Sequence, residues 1–137
     1  MSEHLHKLRF YRLWLGAGVV LVVLVVVMSL WPSPPKVALS HADKLVHALA
    51  YLMLMAWFGQ LCGGGRDRLA WLVGLIVLGG VLELAQGLMS TRSAEWADVL
   101  ANAGGAFVGW LVTLGPGGRV LAAVERRSLA KRKARSA

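Results

Sequence analysis

The segment Asp43-Lys44-Leu45-Val46-His47-Ala48-Leu49-Ala50-Tyr51 puts a carboxylate, an imidazole and a phenol at positions i, i+4 and i+8. On a helix these three share one stripe that descends about 12 Å. A carboxylate one turn from an imidazole can orient it as a general base or acid. Lys44, about 100° round the helix from Asp43, adds a cation of the kind that holds a phosphate. Two further groups have the same character. Glu83 and Gln86 lie one turn apart, with Gly79 and Gly87 on the Glu83 stripe, and Asp98 and Asn102 repeat the i, i+4 spacing beyond Arg92.

The stretches that must carry these residues are strongly apolar. Hydrophobic residues make up 57% of the 137, and the mean hydropathy is +0.60, more than a soluble core of this size requires. Four runs approach the roughly 20 residues needed to cross a hydrocarbon core of about 30 Å: Leu13–Leu30, Leu45–Cys62, Leu69–Met89 and Ala97–Leu114. Helices are the spanning elements expected, since each satisfies its own backbone hydrogen bonds without water. Among Asp, Glu, Lys, Arg and His, only His47, Glu83 and Asp98 fall inside the four runs. Each costs roughly 2.5 to 3.5 kcal/mol at mid-bilayer, which is tolerated where such groups pair or do a job.

The net charge of +8 follows loop position. Lys7, Arg9 and Arg12 precede the first run, Arg66 and Arg68 separate the second and third, and a cluster from Arg119 to Arg135 follows the fourth, whereas the opposite side has only Lys36, Lys44 and Arg92. The positive-inside rule then puts both termini in the cytoplasm, with 1–12 a basic lead, 13–114 the membrane domain and 115–137 a basic tail. Topology accounts for the charge, so no nucleic-acid partner is expected. The single Cys62 offers no disulfide. The first apolar run exceeds a signal peptide's hydrophobic region, and Met28–Pro35 has no small-x-small cleavage site, so residues 13–30 read as a span.

Trp31-Pro32-Ser33-Pro34-Pro35 ends the first helix, with Ser40 or Asp43 a candidate cap for the second; Gly63-Gly64-Gly65 and Ser90–Glu95 make short turns. Val120, Leu121, Val124 and Leu129 among Arg and Lys suggest a basic amphipathic helix, with a frayed tail as the alternative. The expected architecture is therefore an all-α membrane bundle of four transmembrane helices. In it Asp43, Lys44, His47, Tyr51, Glu83, Gln86, Arg92, Asp98 and Asn102 converge within about 10 Å of the outer surface. Gly79, Gly87, Ala101, Gly105 and Gly109 read as helix-packing positions. Each polar residue also has a purely structural explanation: Asp43 as a cap, Arg92 paired with Glu95 or Asp98, Asn102 as interhelical glue.

These residues in order resemble the VanZ-like family of small bacterial membrane proteins. The likeness rests on Asp43-Lys44-x-x-His47-x-x-x-Tyr51, Glu83-x-x-Gln86, Arg92, Asp98, Asn102, Gly105 and Gly109, over about residues 31–114. It implies a bacterial plasma-membrane protein of the cell envelope, in a family whose founding member is tied to low-level resistance to the glycopeptide teicoplanin. The resemblance brings no established reaction.

Three functions fit. One is a binding protein whose outer pocket takes a lipid headgroup or a lipid-linked cell-wall precursor. The second is a membrane-embedded hydrolase or transferase acting on lipid-linked phosphates, with His47, Glu83 and Asp43 as its catalytic groups. The third is a proton-linked transporter or flippase. A divalent metal at His47, Glu83 and Asp98 is a variant of the second, but no adjacent ligand pair such as H-E-x-x-H is present. The sequence therefore assigns no metal and no cofactor.

Overall fold

A computed structural model describes residues 8–31, 42–89 and 95–135. Lys7, Lys36 and Arg92 lie outside the described residues, as do Ser40 and the Pro32–Pro35 segment. Four long helices follow in order: α1 Tyr11–Ser29, α2 Ala42–Leu61, α3 Gly65–Gly87 and α4 Trp96–Leu114. A 3-10 turn, Pro116–Arg119, leads into α5, Val120–Arg135. The described residues contain no strand.

With 19 to 23 residues each, α1 to α4 are long and apolar enough to cross a membrane. All four begin one to four residues before the apolar runs do. Asp43, Asp67 and Asp98 occupy the first turns of α2, α3 and α4, where a negative charge meets the positive end of the helix dipole. Val20, Leu24, Met53, Val77, Leu84 and Leu100 point outward, each more than half exposed. An apolar belt of that kind on every helix is the surface of a multi-pass membrane protein.

Helix α2 is central and packs most closely on α4. The reason lies in two glycines one turn apart. A Cβ at Gly105 would collide with the carbonyl oxygen of Ala48, and one at Gly109 would stand 2.5 Å from that of Leu52. Small residues at this spacing let two backbones touch, which is how helices associate where lipid removes the hydrophobic drive. On the other side of α2, Gly18 of α1 leaves room for Phe58, whose ring stacks on Trp71 of α3 at a centroid distance of 3.9 Å.

Helix α5 is joined to the bundle by two contacts. Leu121 is buried, and its N–H donates to Gln60 Oε1 at 2.9 Å. Glu125 is buried too; it accepts the N–H groups of Arg9 at 2.8 Å and Phe10 at 2.9 Å and the indole N–H of Trp14 at 2.7 Å. The carboxylate thus sits at the positive end of α1, more than a hundred residues away in sequence. Burial pushes its pKa up, but those three donors and the Arg9 charge outweigh it and hold Glu125 below its ordinary 4.5. Val120 and Val124 remain exposed on α5.

Candidate functional site

Helices α2 and α4 begin, and α1 and α3 finish, at the same end of the bundle. Position within those helices therefore decides which side chains can meet. His47 is in the second turn of α2, Glu83 in the last turns of α3 and Asp98 in the first turn of α4. One ligand atom from each lies within 4.8 Å of those from the other two. His47 Nδ1 is 3.9 Å from Asp98 Oδ2, too long for a hydrogen bond.

Glu83 and Asp98 are both buried, at 3% and 5% exposure. Two carboxylate charges no more than 4.8 Å apart repel by about 3.5 kcal/mol at an effective dielectric of about 20, so something must offset them. Lys44 does so in part, with its Nζ 3.5 Å from Asp98 Oδ1 and 2.8 Å from Glu95 Oε2. Glu95 lies just outside the span, and the hydrogen bond from Lys44, reinforced by its charge, holds the Glu95 carboxyl below its ordinary value. The backbone N–H of Glu95 also donates to Glu83 Oε1 at 2.7 Å, which turns the second Glu83 oxygen inward.

That second oxygen has no partner. Glu83 Oε2, His47 Nδ1, Asp98 Oδ1, Tyr51 OH and Asn102 Oδ1 are all buried without a hydrogen bond. Natural proteins satisfy nearly all buried polar atoms, so this set from three helices, in which only Asp98 Oδ1 has a charge beside it, is the candidate binding position. Gly79 of α3 makes their convergence possible. A Cβ there would stand 3.0 Å from Asn102 Cβ and 3.2 Å from the Tyr51 ring.

The remaining expected residues divide. Gln86 is buried but engaged: its Nε2 donates to the Ser29 carbonyl at 2.6 Å, satisfying one of the free acceptors at the end of α1. Asp43, expected within the pocket, is exposed in the first turn of α2, and the close set is His47, Glu83 and Asp98. Gly87, expected at a packing contact, is also exposed, while Ala101 is half-buried beside the site. Arg92 lies outside the described residues.

Glu95 is the residue that sequence reasoning read only as a turn partner. Its spacing of i, i+3 to Asp98 was the available signal, since it sets both carboxylates within reach of one lysine.

Away from this site, Glu125 is the only other buried Asp, Glu, Lys, Arg or His among the described residues. The opposite end carries Arg9, Arg12, Arg66, Arg68 and Arg119, and a groove there is lined by Gln60, Arg68, Arg119 and Arg126. Comparison with family models, curated proteins and solved structures returns no match.

Proposed function

We propose that the chain is a VanZ-like protein of the bacterial cell envelope, whose polar pocket opens toward the outside and takes the headgroup of a membrane lipid or a lipid-linked cell-wall precursor. The observation that carries this reading is the set of five buried polar atoms without a hydrogen bond, beside Lys44, at one end of a bundle with an apolar outer face. The arginines gathered at the opposite end support a cytoplasmic position for that end and for both termini. Lys44, with its side chain one-third exposed, is the group a headgroup phosphate meets first.

Lipid co-purified with the protein in native-membrane nanodiscs tests the reading by native mass spectrometry. One lipid class should be retained by the wild type and lost, or reduced at least tenfold, in Lys44→Met and Asn102→Leu. An identical lipid complement in all three proteins refutes it.

A hydrolase or transferase acting on lipid-linked phosphates is the second reading. It is favoured by His47 lying 3.9 Å from Asp98, a base next to a carboxylate that can orient it. Turnover of a lipid pyrophosphate by the purified protein, abolished in His47→Gln, would distinguish it from binding alone.

A further inference from the structure

We infer that His47, Glu83 and Asp98 are the ligands of a single divalent transition-metal ion, of the zinc or manganese class. This deepens the pocket reading above and rests on it only for the role of the metal, not for its binding.

Three independent features converge. The first is the donor set, one imidazole nitrogen and two carboxylate oxygens from three helices, gathered within 4.8 Å. Ligands 2.1 Å from a tetrahedral ion are about 3.4 Å apart, so the 3.9 Å between His47 Nδ1 and Asp98 Oδ2 needs only a small side-chain rotation. The second is that the atoms facing the centre are the unsatisfied ones. Nδ1 of His47 and Oε2 of Glu83 have no hydrogen bond, Asp98 sets Oδ2 toward His47 while its Oδ1 is beside Lys44, and both carboxylates are more than nine-tenths buried. The third is orientation from outside: the Glu95 N–H takes one Glu83 oxygen and leaves the other for the ion, as supporting hydrogen bonds do around metal ligands.

The charge balance selects the kind of ion. Three carboxylates, Glu83, Glu95 and Asp98, against Lys44 leave two negative charges in excess, which a divalent ion held with a neutral imidazole balances. An imidazole in the set favours zinc, manganese or iron over calcium and magnesium, which prefer oxygen alone. Three protein ligands are one short of a closed structural zinc site. Tyr51 OH, one turn beyond His47, and Asn102 Oδ1, one turn beyond Asp98, are also without a hydrogen bond, so a water that accepts from the phenol and donates to the amide oxygen fits as a further ligand. The ligands come from three helices, so no adjacent pair in the sequence announces them.

The test uses the full chain with a tag free of histidine, in a His4→Ala, His6→Ala, His41→Ala and Cys62→Ser background. His47 is then the only histidine and no thiol competes for metal. Metal-stripped protein in nanodiscs is titrated with Zn2+ and with Mn2+. Elemental analysis after gel filtration should find about one ion per chain. Pulsed EPR of the Mn2+ form should show coupling to one imidazole nitrogen. Glu83→Gln and Asp98→Asn should each weaken binding at least tenfold.

No stoichiometric metal, or a bound ion without imidazole coupling, overturns the inference. Unchanged affinity in both variants overturns it as well. Should either variant fail to fold, the wild-type stoichiometry and the EPR coupling still decide. Lipid retention is measured on the same samples with and without chelator. Lipid bound to a protein that takes no metal refutes the metal alone, and metal bound without any selective lipid refutes the pocket reading alone.

Discussion

Replacing Gly105 with alanine tests the packing that brings the site together. The added Cβ meets the Ala48 carbonyl oxygen, a backbone atom that cannot rotate aside, so α4 must move off α2 by a distance on the order of an ångström. Overpacking of this kind costs about 1 to 3 kcal/mol, and a backbone obstacle puts Gly105→Ala at the upper end. The neighbouring Gly104 is the internal control, because nothing lies within 4 Å of a Cβ built there. Gly104→Ala gains helix propensity, worth up to about 1 kcal/mol, and meets no obstacle. The two variants should therefore differ by about 3 kcal/mol, roughly a hundredfold in the unfolding equilibrium. Reversible unfolding in mixed detergent micelles, followed by circular dichroism, measures that difference. Asp98 and Asn102 belong to the same buried face of α4 as Gly105 and Gly109, so separation there also pulls Asp98 away from His47. A Gly105→Ala protein as stable as Gly104→Ala would refute the argument that this contact sets the α2 and α4 spacing.

Glu125→Gln should lower stability by about 1.5 to 3 kcal/mol at pH 7, because it removes the charge from bonds to Arg9, Phe10 and Trp14. Since the folded pKa lies below the ordinary 4.5, the stabilisation is present above that value and is lost as pH falls through the folded pKa. The gap between wild type and variant should therefore shrink between pH 7 and pH 3 in denaturant titrations. Glu83→Gln in the presence of chelator should raise the thermal midpoint, because it removes one of two crowded charges while keeping an oxygen for the Glu95 N–H; a lower midpoint contradicts the repulsion argument. Cys62, whose thiol is pushed up to about 11 by burial, with the charge of Asp67 adding to it, should react slowly with maleimide at pH 7, about tenfold faster with each pH unit, as stopped labelling reactions will report.

The architecture was legible because membrane helices follow from a rule with few exceptions. Four apolar runs in a chain of 137 residues leave one arrangement that satisfies every backbone group. Counting the rise per residue from the ends of those runs then sets His47, Glu83 and Asp98 at one level, and their ligand atoms do lie within 4.8 Å. What the sequence obscured was the pairing between helices. Spacing along one helix suggested Asp43 as the acid for His47, yet Asp98 enters from α4, carried there by the glycine contact at Ala48. Gln86 looked like a pocket residue, but the end of α1 happens to fall beside it, and the Ser29 carbonyl takes its amide. Glu125 was hidden among Arg and Lys in a tail, because a carboxylate that binds backbone N–H groups more than a hundred residues away has no local signature.

The two ends of the bundle solve one electrostatic problem differently. At the α5 end a single buried carboxylate is fully used, with three N–H donors, a helix dipole and Arg9 around it. Nothing more is needed there, and Glu125 serves as a clasp between α1 and α5. At the other end, of two buried carboxylates only Asp98 has a lysine beside it, shared with the exposed Glu95, while Glu83 Oε2 and His47 Nδ1 have no hydrogen bond. Packing would have been better served by apolar residues of similar size, since replacing a buried charged cluster in that way is often neutral or stabilising. The same chain shows at Glu125 that it can satisfy a buried acid completely. The set at His47, Glu83 and Asp98 lacks that completion, and this contrast within one molecule is the strongest support for the pocket proposed at this end.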